Sequence, residues 1–270
     1  MRVLINGGLP YDSGKTRFGL ALISAMAEVG VKLTPLKPVA GHNAWYSYST
    51  LLRSVELNVL VGNDALSYYE ITGIKPEKIN PFDVLLAPVE LEKLDYSTTS
   101  YNILMERGVP VMMRITREGN SSYFTSIPEY VLDSLKESLD KLREIFRPTI
   151  VTTDQLRQIV DESGYIVDEE VRRTISKNDN VVIESYNNAS SPCFSCSEVD
   201  YVFTVFPGRA FLVKGQEFRK FLSLSSLPPW TISSEKIFKY LRPLSFRLDP
   251  VTSKNGKILD LLLSEERSSP

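Results

Sequence analysis

The chain opens on Arg2-Val3-Leu4-Ile5-Asn6-Gly7-Gly8-Leu9-Pro10-Tyr11-Asp12-Ser13-Gly14-Lys15-Thr16. A short apolar run enters a glycine-containing loop, the loop closes on Gly14-Lys15-Thr16, and a helical pattern follows at once. Strand, loop and helix in that order are the layout of a phosphate-binding loop. In such a loop, backbone N–H groups and a helix N-terminus face an anion. Lys15 then reaches the outer phosphates, the Thr16 hydroxyl ligates magnesium, and Asp12, Ser13, Gly14 and Arg17 complete the nucleotide-binding set. The expected ligands are a nucleoside triphosphate, ATP in the first place, and Mg²⁺. The usual spacing puts a glycine five residues before Gly14; Leu9 stands there, with Gly7 and Gly8 just ahead of it. A surface turn with a solvated lysine is the competing reading, and the strand before and helix after the loop weigh against it.

Outward from the loop, Phe18, Leu20, Leu22, Ile23, Met26 and Val29 recur at helical spacing over 15–30, and Gly30 is a fitting stop. Leu33 to Val39 reads as a second strand, limited by Pro35 and Pro38. Helices are expected over 45–61 and 64–72, and strands over 83–87 and 109–115. A helix over 128–146 has Pro128 in its first turn and Val131, Leu135, Leu139, Leu142 and Ile145 near one face. Further helices are expected at 154–163 and 168–176, and strands at 181–183 and 199–205, with an apolar stretch ending at 211–213. A helix from about 216, another at 234–240, a strand at 245–248 and a helix at 256–265 complete the pattern, with a frayed tail from Ser264 to Pro270. Such alternation predicts a single α/β domain over 1–270: a three-layer, mostly parallel sheet with helices on both faces. An inserted or elaborated segment is expected near 91–180.

Ligands of such sheets bind at the carboxyl ends of the strands. Lys15 and Thr16 follow the first strand, Lys37-Pro38-Val39-Ala40-Gly41-His42-Asn43 the second, and Glu184-Ser185 the strand at 181–183. Two lysines and a carboxylate therefore fall on one edge. Lys15 and Lys37 are the candidate catalytic cations, neutralising charge on a transferred phosphoryl group. Glu184 is the candidate magnesium carboxylate beside Thr16, and Asp64 could be a second acidic ligand.

Composition narrows the field. A net charge of −2 over 270 residues argues against a broad nucleic-acid-binding face. No apolar stretch approaches the ~18 residues of a membrane span, and the apolar run before the loop is too short for a signal peptide, so a cytoplasmic location is expected. The sole histidine, His42, rules out mechanisms needing several. Cys193 and Cys196, in a Cys-Phe-Ser-Cys arrangement, make half a zinc site; a redox pair is the alternative, though the strand-then-helix context of such pairs is not evident, and two unpaired thiols in a loop is the favoured reading. Trp45, Tyr46 and Tyr48 with Arg53 allow a base-stacking platform, but an amphipathic helix that packs its aromatics into the core is the favoured reading, because the region lacks a basic cluster. Arg209 reads either as a contact for an anionic substrate or phosphate or, slightly favoured, as a solvated arginine on a turn.

At its strand ends the chain resembles the dethiobiotin synthetase group of P-loop proteins. The residues that carry the resemblance are Gly14-Lys15-Thr16, Lys37-Pro38-Val39-Ala40, Asp64-Ala65-Leu66, Asn80-Pro81 and Val182-Ile183-Glu184, in that order. Agreement runs over 1–90 and in patches over 180–225, and 91–180 has no counterpart. The family's glycine-rich run after the glutamate is here Ser185-Tyr186-Asn187-Asn188-Ala189. The resemblance implies a P-loop NTPase fold and an ATP-dependent ligase. In that family a carbamate forms on a vicinal diamine, is phosphorylated by ATP and closes to a cyclic urea. Lys15 and Thr16 would then serve the phosphates and magnesium, Lys37 the γ-phosphate and carbamate, and Asp64 and Glu184 the magnesium. The resemblance also implies a homodimer. Three readings stay open: a synthetase acting on an unidentified small-molecule acceptor, an ATPase or GTPase switch acting on a protein partner, and a kinase. No Asn-Lys-x-Asp guanine signature is present, which tilts the nucleotide toward ATP.

Overall fold

The computed structural model describes residues 1–249 and 256–266. In chain order the elements are β1 (Arg2–Gly7), α1 (Lys15–Glu28), β2 (Thr34–Leu36), β3 (Val39–Asn43), α2 (Tyr48–Leu57), α3 (Asn63–Thr72), α4 (Pro76–Ile79) and β4 (Phe82–Ala87). There follow α5 (Thr98–Arg107), β5 (Val109–Arg117), β6 (Asn120–Thr125), α6 (Lys136–Phe146), β7 (Thr149–Ile150), α7 (Thr153–Asp161), α8 (Ser163–Lys177) and β8 (Val181–Glu184). The chain finishes with β9 (Tyr201–Phe206), β10 (Arg209–Lys214), α9 (Gly215–Leu222), α10 (Ile237–Tyr240), β11 (Leu244–Arg247) and α11 (Gly256–Glu266). Part of the expected frayed tail, 267–270, lies outside the described residues; Ser264 to Glu266 are helical.

The chain gathers into two compact units, the first made of Met1–Pro38, Glu70–Gly73 and Gly164–Pro270, the second of Val39–Tyr69 and Ile74–Ser163. These boundaries differ from the segment near 91–180 expected to be elaborated. Each unit has its own sheet, and this corrects the expectation of one mostly parallel sheet. The first unit's sheet runs β11-β10-β9-β1-β8-β2. Its strands β2, β8, β1 and β9 are parallel, whereas β10 and β11 are antiparallel additions. The second unit's sheet runs β3-β4-β5-β6-β7, with β5 antiparallel to both β4 and β6 and the edge pairs β3–β4 and β6–β7 parallel. The apolar run Leu33–Val39 holds the reason. Pro38 has no N–H for a ladder, so β2 ends at Leu36 on β8 and β3 begins at Val39 on β4.

In the first unit, Val3, Leu4 and Ile5 of β1 are fully buried between β8 and β9, as a central parallel strand requires. Helix α1 buries Gly19, Leu22, Ile23, Ala25 and Met26 and packs on β1, β8 and β9. It ends where Gly30 adopts φ 83° and the Val31 N–H donates to the Met26 carbonyl at 2.9 Å.

The second unit's core gathers Leu85 and Ala87 of β4, Val111 and Met112 of β5, and Leu139 and Leu142 of α6. Helix α6 starts at Lys136, so Pro128 lies ahead of it, and Val131 instead forms a strand-like bridge to Val89. The hairpin β5–β6 turns through Glu118 and Gly119, both at positive φ, a two-residue geometry that suits the twist of its strands. Helix α2 buries Thr50, Leu51 and Ser54, while Trp45, Tyr46 and Tyr48 are 53%, 75% and 44% exposed; the expected aromatic packing does not occur.

A polar network runs through this second core. The fully buried Arg114 donates from Nε to the Leu60 carbonyl (2.8 Å), from Nη1 to Thr116 Oγ1 (2.5 Å) and from Nη2 to Asn80 Oδ1 (3.0 Å). Burial pulls its guanidinium below the ordinary value, and the charge of Asp83 opposes that. His42 bridges Asp83 Oδ2 at 3.0 Å and Thr50 Oγ1 at 2.6 Å through its two ring nitrogens. Among the described residues no helix is long and apolar enough to cross a membrane.

Candidate functional site

Register sets the site. In the first unit Ile5 pairs with Glu184, Leu36 with Ile183 and Gly7 with Val205, so β1, β8, β2 and β9 end at one edge. Residues that follow those strands are brought together whatever their separation in sequence.

The loop from Gly7 to Gly14 is shaped by close contacts. The Gly8 N–H donates to the Val205 carbonyl at 2.9 Å. A Cβ on Gly7 would stand 2.5 Å from Ser13 Oγ, 2.8 Å from Lys15 Nζ and 2.9 Å from the Asn187 carbonyl oxygen. One on Gly8 would meet the Phe206 ring at 1.9 Å. Glycine is thus demanded at 7 and 8. Gly14, at φ 88°, delivers the chain into α1 from a conformation a side chain disfavours.

Lys15, in the first turn of α1, donates from Nζ to Ser13 Oγ (3.2 Å) and to the Asn187 carbonyl (2.8 Å). The Thr16 hydroxyl donates to Glu184 Oε1 at 2.9 Å. Lys37 Nζ donates to the same carboxylate oxygen at 2.7 Å and to the Ser185 carbonyl at 3.1 Å. Lys37 and Glu184 are buried to 2% and 1% exposure, so this ion pair is shielded from water and salt. One carboxylate oxygen therefore joins the end of β8, the start of α1 and the residue after β2.

Of the other candidate residues, Ser13 is buried, Gly14 is exposed at the helix entry, and Asp12 and Arg17 are exposed at either end of the turn. Asp64 stands in the first turn of α3, within the second unit. Among the described residues no group of three or more His, Cys, Asp or Glu is arranged to hold a metal. Thr16 Oγ1 and Glu184 Oε1 are nevertheless a suitable oxygen pair for Mg²⁺, which takes one or two carboxylates and leaves most positions to water and substrate phosphates.

A cavity of ≈ 1290 Å³ opens in the first unit from Asp12, Ser13 and Gly14. Its walls come from α1, the turn between β9 and β10, β11 and the start of α11. Phe18, Phe206 and Ile258 give it apolar surface, and Arg17, Arg209 and Arg247 give it positive charge. Arg209, for which the sequence allows either an anion contact or a solvated turn, lines this cavity.

Several supports carried no local signal. The Asn187 and Ser185 carbonyls hold the two lysines, and a carbonyl acceptor is invisible in residue identity. The Ser234 hydroxyl donates to the Gly7 carbonyl from 227 residues away. Its backbone N–H donates to the Asn188 carbonyl at 2.8 Å, and the Ser190 N–H donates to Ile232 O at 2.8 Å. The stiff Pro228-Pro229-Trp230 connection thus leads into a segment that braces the β8–β9 loop. Comparison with protein-family models, with curated proteins and with solved structures finds no match.

Proposed function

We propose that the chain binds a nucleoside triphosphate with Mg²⁺ at the 7–16 loop and transfers its terminal phosphoryl group to a small acceptor, as an ATP-dependent synthetase of the dethiobiotin-synthetase type does. The observation that carries this reading is the convergence of Thr16 and Lys37 on Glu184 Oε1, at 2.9 and 2.7 Å, beside the N-terminus of α1. An ordinary structural ion pair has no need of the helix-starting Thr hydroxyl that follows a Gly-Lys pair. The cavity that opens from Asp12–Gly14 supplies room for the rest of a nucleotide.

In this reading Lys15 exchanges its contacts with Ser13 and the Asn187 carbonyl for phosphate oxygens, where its charge is worth more. Thr16 and Glu184 would hold Mg²⁺, which neutralises phosphate charge when bound. Lys37, fixed by Glu184 and the Ser185 carbonyl, presents a second cation to the charge that develops on the transferred group. The buried walls around Lys37 and Glu184 exclude water that would otherwise weaken both interactions.

One observation favours a second reading. Lys15 is tied to Asn187, a non-glycine residue at φ 43°, in a loop that the 229–235 segment braces. A nucleotide that draws Lys15 away would alter that loop, as an NTPase switch acting on a partner requires. Turnover of Mg·ATP, alone and with diaminopelargonate plus bicarbonate, separates the two. The synthetase reading expects stimulation by the acceptor. Slow turnover unchanged by the acceptor transfers the weight to the switch, and absence of any turnover that depends on Lys15 removes both.

A further inference from the structure

The β8–β9 connection holds a feature that nucleotide binding does not use. Sequence reading favours two unpaired thiols at Cys193 and Cys196; the structure places Cys193 Sγ and Cys196 Sγ 2.8 Å apart, both at 0% exposure. The pair flanks the start of the one-turn helix Ser195–Ser197. Side-chain bonds fix the backbone on all sides: Ser191 Oγ donates to the Cys193 carbonyl at 2.8 Å, the Ser195 N–H to Asp168 Oδ1 at 2.7 Å, and Ser197 Oγ to the Phe194 carbonyl at 2.7 Å. The two sulfurs are thus held against each other by an ordered turn, at the three-residue separation of dithiol redox motifs.

We propose that Cys193 and Cys196 are a redox-active dithiol that closes to an intrachain disulfide by exchange with a low-molecular-weight disulfide. In the first step one cysteine thiolate attacks a sulfur of the small disulfide. That S–S bond breaks, one small thiol leaves, and a mixed disulfide stands on the protein. In the second step the other cysteine's thiolate attacks the protein-bound sulfur, and the second small thiol leaves. The two cysteine sulfurs are oxidised, the two reagent sulfurs are reduced, and the two cysteine protons end on the two departing thiols. The second step joins atoms already in contact, so it outruns external thiols and the mixed disulfide does not accumulate. The first step is slow. Burial pushes the Cys193 thiol well above its ordinary value, with the Cys196 sulfur and the charge of Asp168 adding to the effect. Little thiolate is therefore present until the turn opens.

The test uses the full chain, reduced and then incubated with oxidised glutathione, followed by denaturation, capping of free thiols with N-ethylmaleimide and intact-mass measurement. A denatured sample treated in parallel shows when the pair has had time to react. The expected product has lost the mass of two hydrogens, carries no glutathione and takes up no maleimide. Cys193→Ser and Cys196→Ser chains, which lack the resolving thiol, are expected to stop at a glutathione adduct or to retain one cappable thiol. Two maleimides on the folded chain after incubation extended well past the time at which the denatured chain is fully bridged would overturn the proposal. So would stable glutathione adducts on the unsubstituted chain.

Discussion

The two sheets bury their charges in different places. In the first unit Lys37 and Glu184 meet where β2 and β8 end, and their carboxylate oxygen is shared with the first turn of α1. In the second unit Arg114 and Asp83 lie within β5 and β4, opposite each other in register, and Arg114 donates to three acceptors of its own core. Both arrangements satisfy a buried cation, and neither is strong support for stability, because desolvation offsets most of the attraction. The difference lies in what else the charge can reach. A cation held mid-strand sees only protein, whereas a cation held at a strand end, beside a glycine loop and a helix N-terminus, is placed where ligands of α/β sheets bind.

The sharpest way to break that contrast is Arg114→Met. Removing the guanidinium leaves Leu60 O, Asn80 Oδ1 and the buried Asp83 without their cation, at a cost of about 3–5 kcal/mol. Denaturant unfolding should show that loss, while nucleotide affinity per folded molecule stays as it was. Loss of affinity with stability intact would make the second network part of the site. Lys37→Met should also destabilise the fold, by roughly 3 kcal/mol, because Glu184 keeps only the Thr16 donor of its two named partners. Unlike the Arg114 change, it should also cut Mg·ATP turnover per folded molecule by about 10²–10³, the usual effect of losing one preorganised charge contact. Full turnover in that variant would reduce Lys37 to a structural role.

A third, much smaller effect sharpens the contrast from the surface. Asp133 is held below the usual carboxylate range by hydrogen bonds from Lys136 and then Lys93, on fully exposed ground. Its folded value is the lower one, so its contribution is present at neutral pH, above the unfolded value. It is lost as pH falls through the folded value. Melting temperatures at neutral and acid pH should differ slightly less for Asp133→Asn than for the natural chain, and an equal or larger difference would contradict the assignment. Such exposed pairs are worth little, which is why charge counts alone do not find the important ones.

How legible each region was follows from the same physics. Strand β1, helix α1 and strand β8 were readable, because a buried central strand is a plain apolar run and α1 repeats its apolar positions at helical spacing. Lys37 and Glu184 could be placed on one edge because strand ends could be located. The second sheet was hidden. Pro38 divides what reads as one strand, and β6, Asn120–Thr125, is mostly polar because only part of it is buried. Trp45, Tyr46 and Tyr48 misled because α2 starts only at Tyr48, which leaves Trp45 and Tyr46 in the turn ahead of it. The contacts of Asn187, Ser185 and Ser234 come from backbone carbonyls and distant pairings, which residue identity does not encode.

The measurement that bears most directly on the central claim is a calorimetric titration of Mg·ATP into the natural chain and into Lys15→Ala, with circular dichroism as the check on folding. The natural chain should bind saturably. Lys15→Ala should keep its fold and bind about 10- to 100-fold more weakly, the equivalent of the roughly 1.5–3 kcal/mol of a charged hydrogen bond. Equal affinity in the two chains, or no binding by the natural one, would contradict the assignment of the 7–16 loop as a nucleotide site.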